Sequence, residues 1–273
     1  MKYTVRRWLA GMLLVPLVAL AQQAPKVEVS LVAEDTAIRP GEPFHVALIQ
    51  DIEPGWHTYW RNPGDSGAPT EIVWDLPDGF SAGDIQWPWP ERVPYGPLVN
   101  FGYHDQVIFP IEITPPEVIG TDQVILRGEV QYLVCADICI PEDATVELAM
   151  PVSGTAHANP DHAGLFEAAR AKIPRDIGVD ASYRVEAEQL TIHVKMSGLE
   201  PHRIEAVHYF PYEEGVIDNA RPGKLALTEN GIRIETATGY DYRAGESGFD
   251  GVMVIFEDSG ESLATAFEIH PEA

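Results

Sequence analysis

The chain contains two cysteines, Cys135 and Cys139, within Tyr132-Leu-Val-Cys-Ala-Asp-Ile-Cys-Ile-Pro141, and their spacing limits the chemistry open to them. They can close a local disulfide, work as an exchanging dithiol or present two thiolates to a soft metal. A disulfide needs Cα atoms roughly 4.4 to 6.8 Å apart, whereas four extended residues span about 13 Å at ~3.3 Å each. The chain must therefore bend between the two. A loop this short removes little unfolded-state entropy, so stability alone is a poor reason for a bridge here. Tight bridges are also the more easily reduced ones. Spacing alone leaves a staple and a redox pair both open.

The compartment bears on that choice. Lys2, Arg6 and Arg7 precede an apolar stretch over 8–20, and Ala19-Leu20-Ala21 supplies the small-x-small pattern of a cleavage site. Residues 1–21 are expected to be a secretory signal cut after Ala21, since the apolar stretch falls short of the ~20 residues of a membrane span. No later stretch is long or apolar enough to span a bilayer, so the mature protein is expected to be exported and without a membrane span.

Of the 273 residues, 42 are acidic and 18 basic, and losing the three basic residues of the signal moves the formal net charge from −24 to −27. Such a surface disfavours nucleic acid and anionic lipid as partners and aids solubility. About 250 mature residues suffice for two domains of ordinary size.

The elements that must position the cysteines are mostly strands. Val27, Val29, Leu31 and Ala33 alternate with polar neighbours, as do Phe44, Val46 and Leu48, then Leu126, Val130, Tyr132 and Val134, then Ala144, Val146, Leu148 and Met150. This period of two, with Gly and Pro between runs, predicts a β-sandwich. One helix is expected to begin near Asn159 as N-cap, with Pro160 in first helical position and Leu165, Ala169 and Ile173 on one face, ending before Pro174. Alternation then resumes at Leu190, Ile192, Val194 and Met196, at Ile204 to Phe210, at Val252 to Phe256 and at Ala264 to Ile269. The expected organisation is all-β: a first sandwich over 22–152, a helical linker over 153–177 and a second, smaller sandwich over 178–273. The cysteine pair falls in or beside the turn of a hairpin between the strand ending at Val134 and the one starting near Ala144.

Two blocks carry a family resemblance. The run Val130-Gln-Tyr-Leu-Val-Cys-Ala-Asp-Ile-Cys-Ile-Pro-Glu142 resembles the active-site hairpin of the N-terminal periplasmic domain of the DsbD and ScsB thiol:disulfide interchange proteins. Gly55-Trp-His-Thr-Tyr-Trp-Arg-Asn-Pro-Gly-Asp-Ser-Gly67, with Ile72-Val-Trp74 and Val99-Asn-Phe-Gly-Tyr103, is similar to another face of that domain, most closely in its ScsB-like form. The resemblance implies an immunoglobulin-like sandwich whose dithiol exchanges with periplasmic thioredoxin-fold oxidoreductases. It further implies that Cys139 is the exchanging cysteine and Cys135 the resolving one, and that Phe101-Gly102-Tyr103 is an aromatic cap loop over the pair. The DsbD spacing is longer than the three residues here, which favours the ScsB-like branch. The family's membrane and thioredoxin-like domains are not present in this sequence, so the electrons are expected to come from a separate membrane-embedded donor.

Charge and the remaining motifs add little. Asp137 and Glu142 flank the pair and no Lys or Arg lies between Arg127 and Arg170, so local sequence gives no reason for a depressed thiol pKa. Among the aromatics Trp56, Tyr59 and Trp60 are candidate partner contacts, although such residues are more often core and rim of a sandwich. His57 and His104 could join the cysteines around Cu(I), but their spacing is not diagnostic, and no metal or cofactor is assigned. The alternative to an exchange protein is a non-catalytic binding module, copper-handling, whose cysteines staple a loop or hold metal.

Overall fold

The computed structural model describes residues 24–221, 223–228, 230–257 and 263–273, and the expected signal peptide over 1–21 lies outside them. The chain runs through β1 (Val27–Ala33), β2 (Phe44–Ile52), β3 (Thr58–Gly64), β4 (Glu71–Asp75), β5 (Ser81–Ala82), β6 (Glu91–Tyr95), β7 (Leu98–Tyr103) and β8 (Gln106–Thr114). Two long strands follow, β9 (Gln123–Cys135) and β10 (Cys139–Pro151), and then the helix α1 (Ala163–Ala171). The C-terminal part contains β11 (Asp180–Glu186), β12 (Gln189–Lys195), β13 (Ile204–Pro211), β14 (Lys224–Thr228), β15 (Gly231–Ala237), β16 (Gly251–Glu257) and β17 (Leu263–Ile269).

The first sandwich pairs a sheet of order β1-β2-β8-β5 with one of order β10-β9-β4. Strict alternation explains the packing: Val124, Leu126, Val130, Tyr132 and Val134 point inward from β9 to meet Leu48, Phe109 and Ile111 from the facing sheet. The result is an all-β, immunoglobulin-like architecture. A third small sheet, β3-β7-β6, sits beside the cysteine end of β9 and is joined to it by an isolated bridge between His57 and Cys135.

The helix begins later than the sequence predicts. Asn159 instead caps a turn, accepting a hydrogen bond from the Asp161 N–H at its Oδ1, and the helix proper starts at Ala163. Its buried face is Phe166 and Ala169, with Leu165 only half buried, because the helix lies with Phe166 turned inward.

The second sandwich consists of β11-β12-β15-β14 and β13-β16-β17. Strand β16 is buried on both faces. Val252 and Val254 join the core of the first sandwich, while Met253 and Ile255 belong to the core of the second. Phe210 and Tyr209 divide in the same way on β13. The three-stranded sheet is thus a layer shared by both cores, and apolar burial on its two sides locks the sandwiches together.

Candidate functional site

Strands β9 and β10 run all the way to the cysteines, leaving 136–138 as the whole turn. Cys135 and Cys139 are register partners joined by a disulfide, with Cα atoms 4.1 Å apart. Cys135 spends its backbone groups on the other neighbour: the His57 N–H donates to the Cys135 carbonyl at 2.9 Å and the Cys135 N–H to the His57 carbonyl at 3.0 Å. The two cysteines are therefore a non-hydrogen-bonded pair, the antiparallel position where facing side chains come closest. Pro141 is tolerated within β10 because that strand lies at a sheet edge.

The two sulfur-bearing residues are not equivalent. Cys135 is fully buried, covered by the entry of β3, whereas Cys139 is exposed. Beside Cys139 lies the Tyr59 phenol, its oxygen 3.8 Å from Sγ; a disulfide sulfur carries no proton, so the phenol is the donor. Burial pushes the Tyr59 phenol up to about 12, with Tyr95 adding to the rise, so it stays protonated at neutral pH. Glu142, flanking the pair in sequence, faces the other way: it accepts from the Lys26 N–H at 2.9 Å and the Tyr132 hydroxyl at 3.2 Å. Alternation along β10 puts it on the face opposite Cys139.

An open cleft of about 680 Å³ adjoins the disulfide turn, between His57, His104, Asp137 and the tip of the β6–β7 hairpin. That tip is a two-residue turn, Gly96-Pro97, closed by the pair Tyr95 and Leu98. Gly96 adopts φ +58°, which a primed hairpin turn requires and a side chain resists. The Tyr95 hydroxyl donates to the Asp137 carbonyl at 3.0 Å and so ties the hairpin tip to the disulfide turn. His57 is buried, its Nε2 has no partner, and its pKa is lowered to about 4 by burial and, secondarily, by His104. His104 moves upward instead, chiefly because Glu91 bonds to its ring at 3.2 Å. The two imidazoles are 5.7 Å apart, and among the described residues no group of three or more His, Cys, Asp or Glu is placed to hold a metal ion.

Several expected roles change. Phe101-Gly102-Tyr103 is not a cap loop but the end of β7. The Phe101 ring is fully buried against Trp60 and Phe210, and the Tyr103 hydroxyl is fixed to the Pro88 carbonyl at 2.7 Å. Gly102 is needed because a Cβ there would overlap the Thr58 carbonyl oxygen on β3. Trp60 is not a partner surface either: it is fully buried and packs on Phe210 and Tyr212 of the second sandwich. Tyr59 is equally buried and turned to Cys139, while Trp56 remains half buried beneath the Lys26 ammonium. Tyr95 escaped notice in the sequence, although an aromatic next to Gly-Pro was a legible sign of a hairpin tip.

Residues 28–151 match the model of the family described as thiol:disulfide interchange protein DsbD, N-terminal. Among solved structures, the N-terminal periplasmic domain of ScsB from Proteus mirabilis is 20% identical, with 89% of this chain and 92% of that one covered and a TM-score of 0.60. The E. coli chaperone DraB, 10% identical with 89% of this chain and 97% of that one covered, has a TM-score of only 0.25. No curated protein sequence matches the chain. Among the described residues no helix is long and apolar enough to cross a membrane.

Proposed function

We propose that this chain, whose residues 28–151 match the model of the DsbD N-terminal family, is an exported, periplasmic thiol:disulfide exchange protein whose Cys135–Cys139 pair passes electrons to or from thioredoxin-fold partners. The observation that carries the reading is the asymmetry of the bridge, one cysteine exposed and the other fully buried on a tight hairpin. A staple gains nothing from that asymmetry. An exchange centre needs it, because the accessible sulfur must be the one attacked and the sheltered one must resolve.

In the reduced protein the Cys139 thiolate attacks one sulfur of a partner disulfide, forming a mixed disulfide and releasing the other partner sulfur as a thiolate that takes up a proton. The Cys135 thiolate then attacks Cys139 Sγ, the second partner sulfur leaves and is protonated, and the bridge seen here is formed. Two electrons and two protons have moved to the partner. The reverse sequence returns the dithiol, with a separate membrane-embedded protein as source of electrons. Tyr59 assists in both directions by donating to Cys139 whenever negative charge develops there.

The test is a trapping experiment. Cys135→Ser should accumulate a mixed disulfide through Cys139 when mixed with oxidised exported thioredoxin-fold proteins, and Cys139→Ser should not. Absence of any adduct against a panel of such proteins refutes the exchange reading.

A further inference from the structure

The second sandwich contains no cysteine, yet its contacts converge on the hairpin that touches the disulfide turn. Arg92 on β6 donates from Nη2 to the Asn219 carbonyl at 2.6 Å, across the junction between the sandwiches, and its guanidinium lies 5.8 Å from the Phe101 ring centre. Asn219 is itself buried; its Nδ2 donates to Asp65 Oδ1 at 2.9 Å, and the other oxygen of Asp65 accepts the Val99 N–H at 2.8 Å. One segment of the second sandwich therefore grips both strands of the hairpin, β6 through Arg92 and β7 through Asp65. Beneath that grip Phe101 packs edge-on against Phe210 of the shared sheet, ring centres 5.0 Å apart. At the free end of the same hairpin Tyr95 holds the Asp137 carbonyl.

We propose that Arg92 and Asn219 are positioning residues through which the second sandwich holds the β6–β7 hairpin, and with it Tyr95, against the Cys135–Cys139 turn. The hairpin has a fixed base and one hydrogen bond at its tip, so how firmly the disulfide turn is held depends on whether the base can shift. The half-buried Arg92 of the first sandwich thus meets a backbone carbonyl of the second. A guanidinium bond is among the stronger kinds, and the tip of a strand pair, which carries only the Tyr95 contact to the disulfide turn, follows its anchored base. The proposal rests on the exchange reading only in taking the disulfide as the reactive group.

The experiment uses the whole exported chain in its oxidised form, with Arg92→Ala, Asn219→Ala, Tyr95→Phe and, as a control, Arg203→Ala at a surface ion pair of the second sandwich. Amide hydrogen exchange and the rate of reduction by dithiothreitol are measured on each. Arg92→Ala and Asn219→Ala should lower protection by about tenfold at the Tyr95, Leu98 and Ala136 amides, with the second sandwich unchanged. Reduction should quicken several-fold in both, Tyr95→Phe should reproduce the faster reduction, and Arg203→Ala should do neither. Unchanged exchange at these amides, or a loss spread evenly over the second sandwich, overturns the proposal. Neither readout involves a thioredoxin-fold protein, so a failure of the exchange reading is seen separately in the trapping experiment.

Discussion

Tyr59→Phe removes a single oxygen and leaves the buried ring, so it isolates the hydrogen bond to Cys139. In the oxidised protein that bond ends on a neutral disulfide sulfur, a weak acceptor, at 3.8 Å, and its loss should cost about 0.5 kcal/mol or less. In the reduced protein the acceptor is a thiolate, and a bond to a charged group is worth roughly 1.5–3 kcal/mol, the lower end being appropriate to this length. The difference, about 1 kcal/mol or slightly more, favours the reduced thiolate in the native protein. Removing the hydroxyl should raise the Cys139 thiol pKa, because the thiolate loses a donor. It should also make the couple harder to reduce by about 20–30 mV at a pH above that pKa. Because burial holds the phenol up to about 12, the donor is protonated throughout pH 6–9, and the shift should grow from pH 6 to pH 9 as the thiolate becomes populated. Equilibration with glutathione buffers, read by alkylation and mass spectrometry, gives the potentials. The pH dependence of iodoacetamide labelling in reduced Cys135→Ser gives the pKa. Potentials of Tyr59→Phe and the parent that coincide from pH 6 to pH 9, with thermal stability unchanged, would refute the role assigned to the phenol.

Other outcomes follow from packing and from titration. The pKa of His57 is lowered from 6.5 to about 4 in the folded chain, so between those values the unfolded chain binds the extra proton and stability must fall as pH falls. That loss should reach roughly 2–3 kcal/mol near pH 4, and denaturant titrations of His57→Phe should show a flatter acid limb; identical limbs count against it. His104 acts with the opposite sign, since its raised pKa adds stability below its unfolded value that is lost as pH rises through the folded one, and His104→Asn should remove that contribution. Phe210→Ala empties the space between Trp60 and Phe101 in the layer shared by both cores, and should cost about 3–5 kcal/mol in a calorimetric melt. Gly102→Ala forces β7 away from the Thr58 carbonyl and should cost at least about 2 kcal/mol in the same assay, with a variant as stable as the parent contradicting the close approach.

The apolar run Val252-Met-Val-Ile255 shows how a legible pattern still withheld its meaning. It marks a strand readily, but four consecutive apolar residues also say that both faces are covered. Only the fold shows that one face belongs to each sandwich. Phe101-Gly102-Tyr103 illustrates the converse. As a motif it resembled a cap, yet alternation along β7 turns both rings inward, and the contact with the disulfide turn passes to Tyr95.

By itself the sequence determined what local rules determine. Period-two alternation made the strands, Gly and Pro ended them, and a four-residue separation compelled a turn between Cys135 and Cys139. Those properties depend on neighbours along the chain. The tertiary structure decided which cysteine is sheltered, that Tyr59 lies beside the other, and that Arg92 and Asn219 meet across the junction. Each of these depends on strands far apart in sequence arriving in one register and on one face, and no local period encodes that.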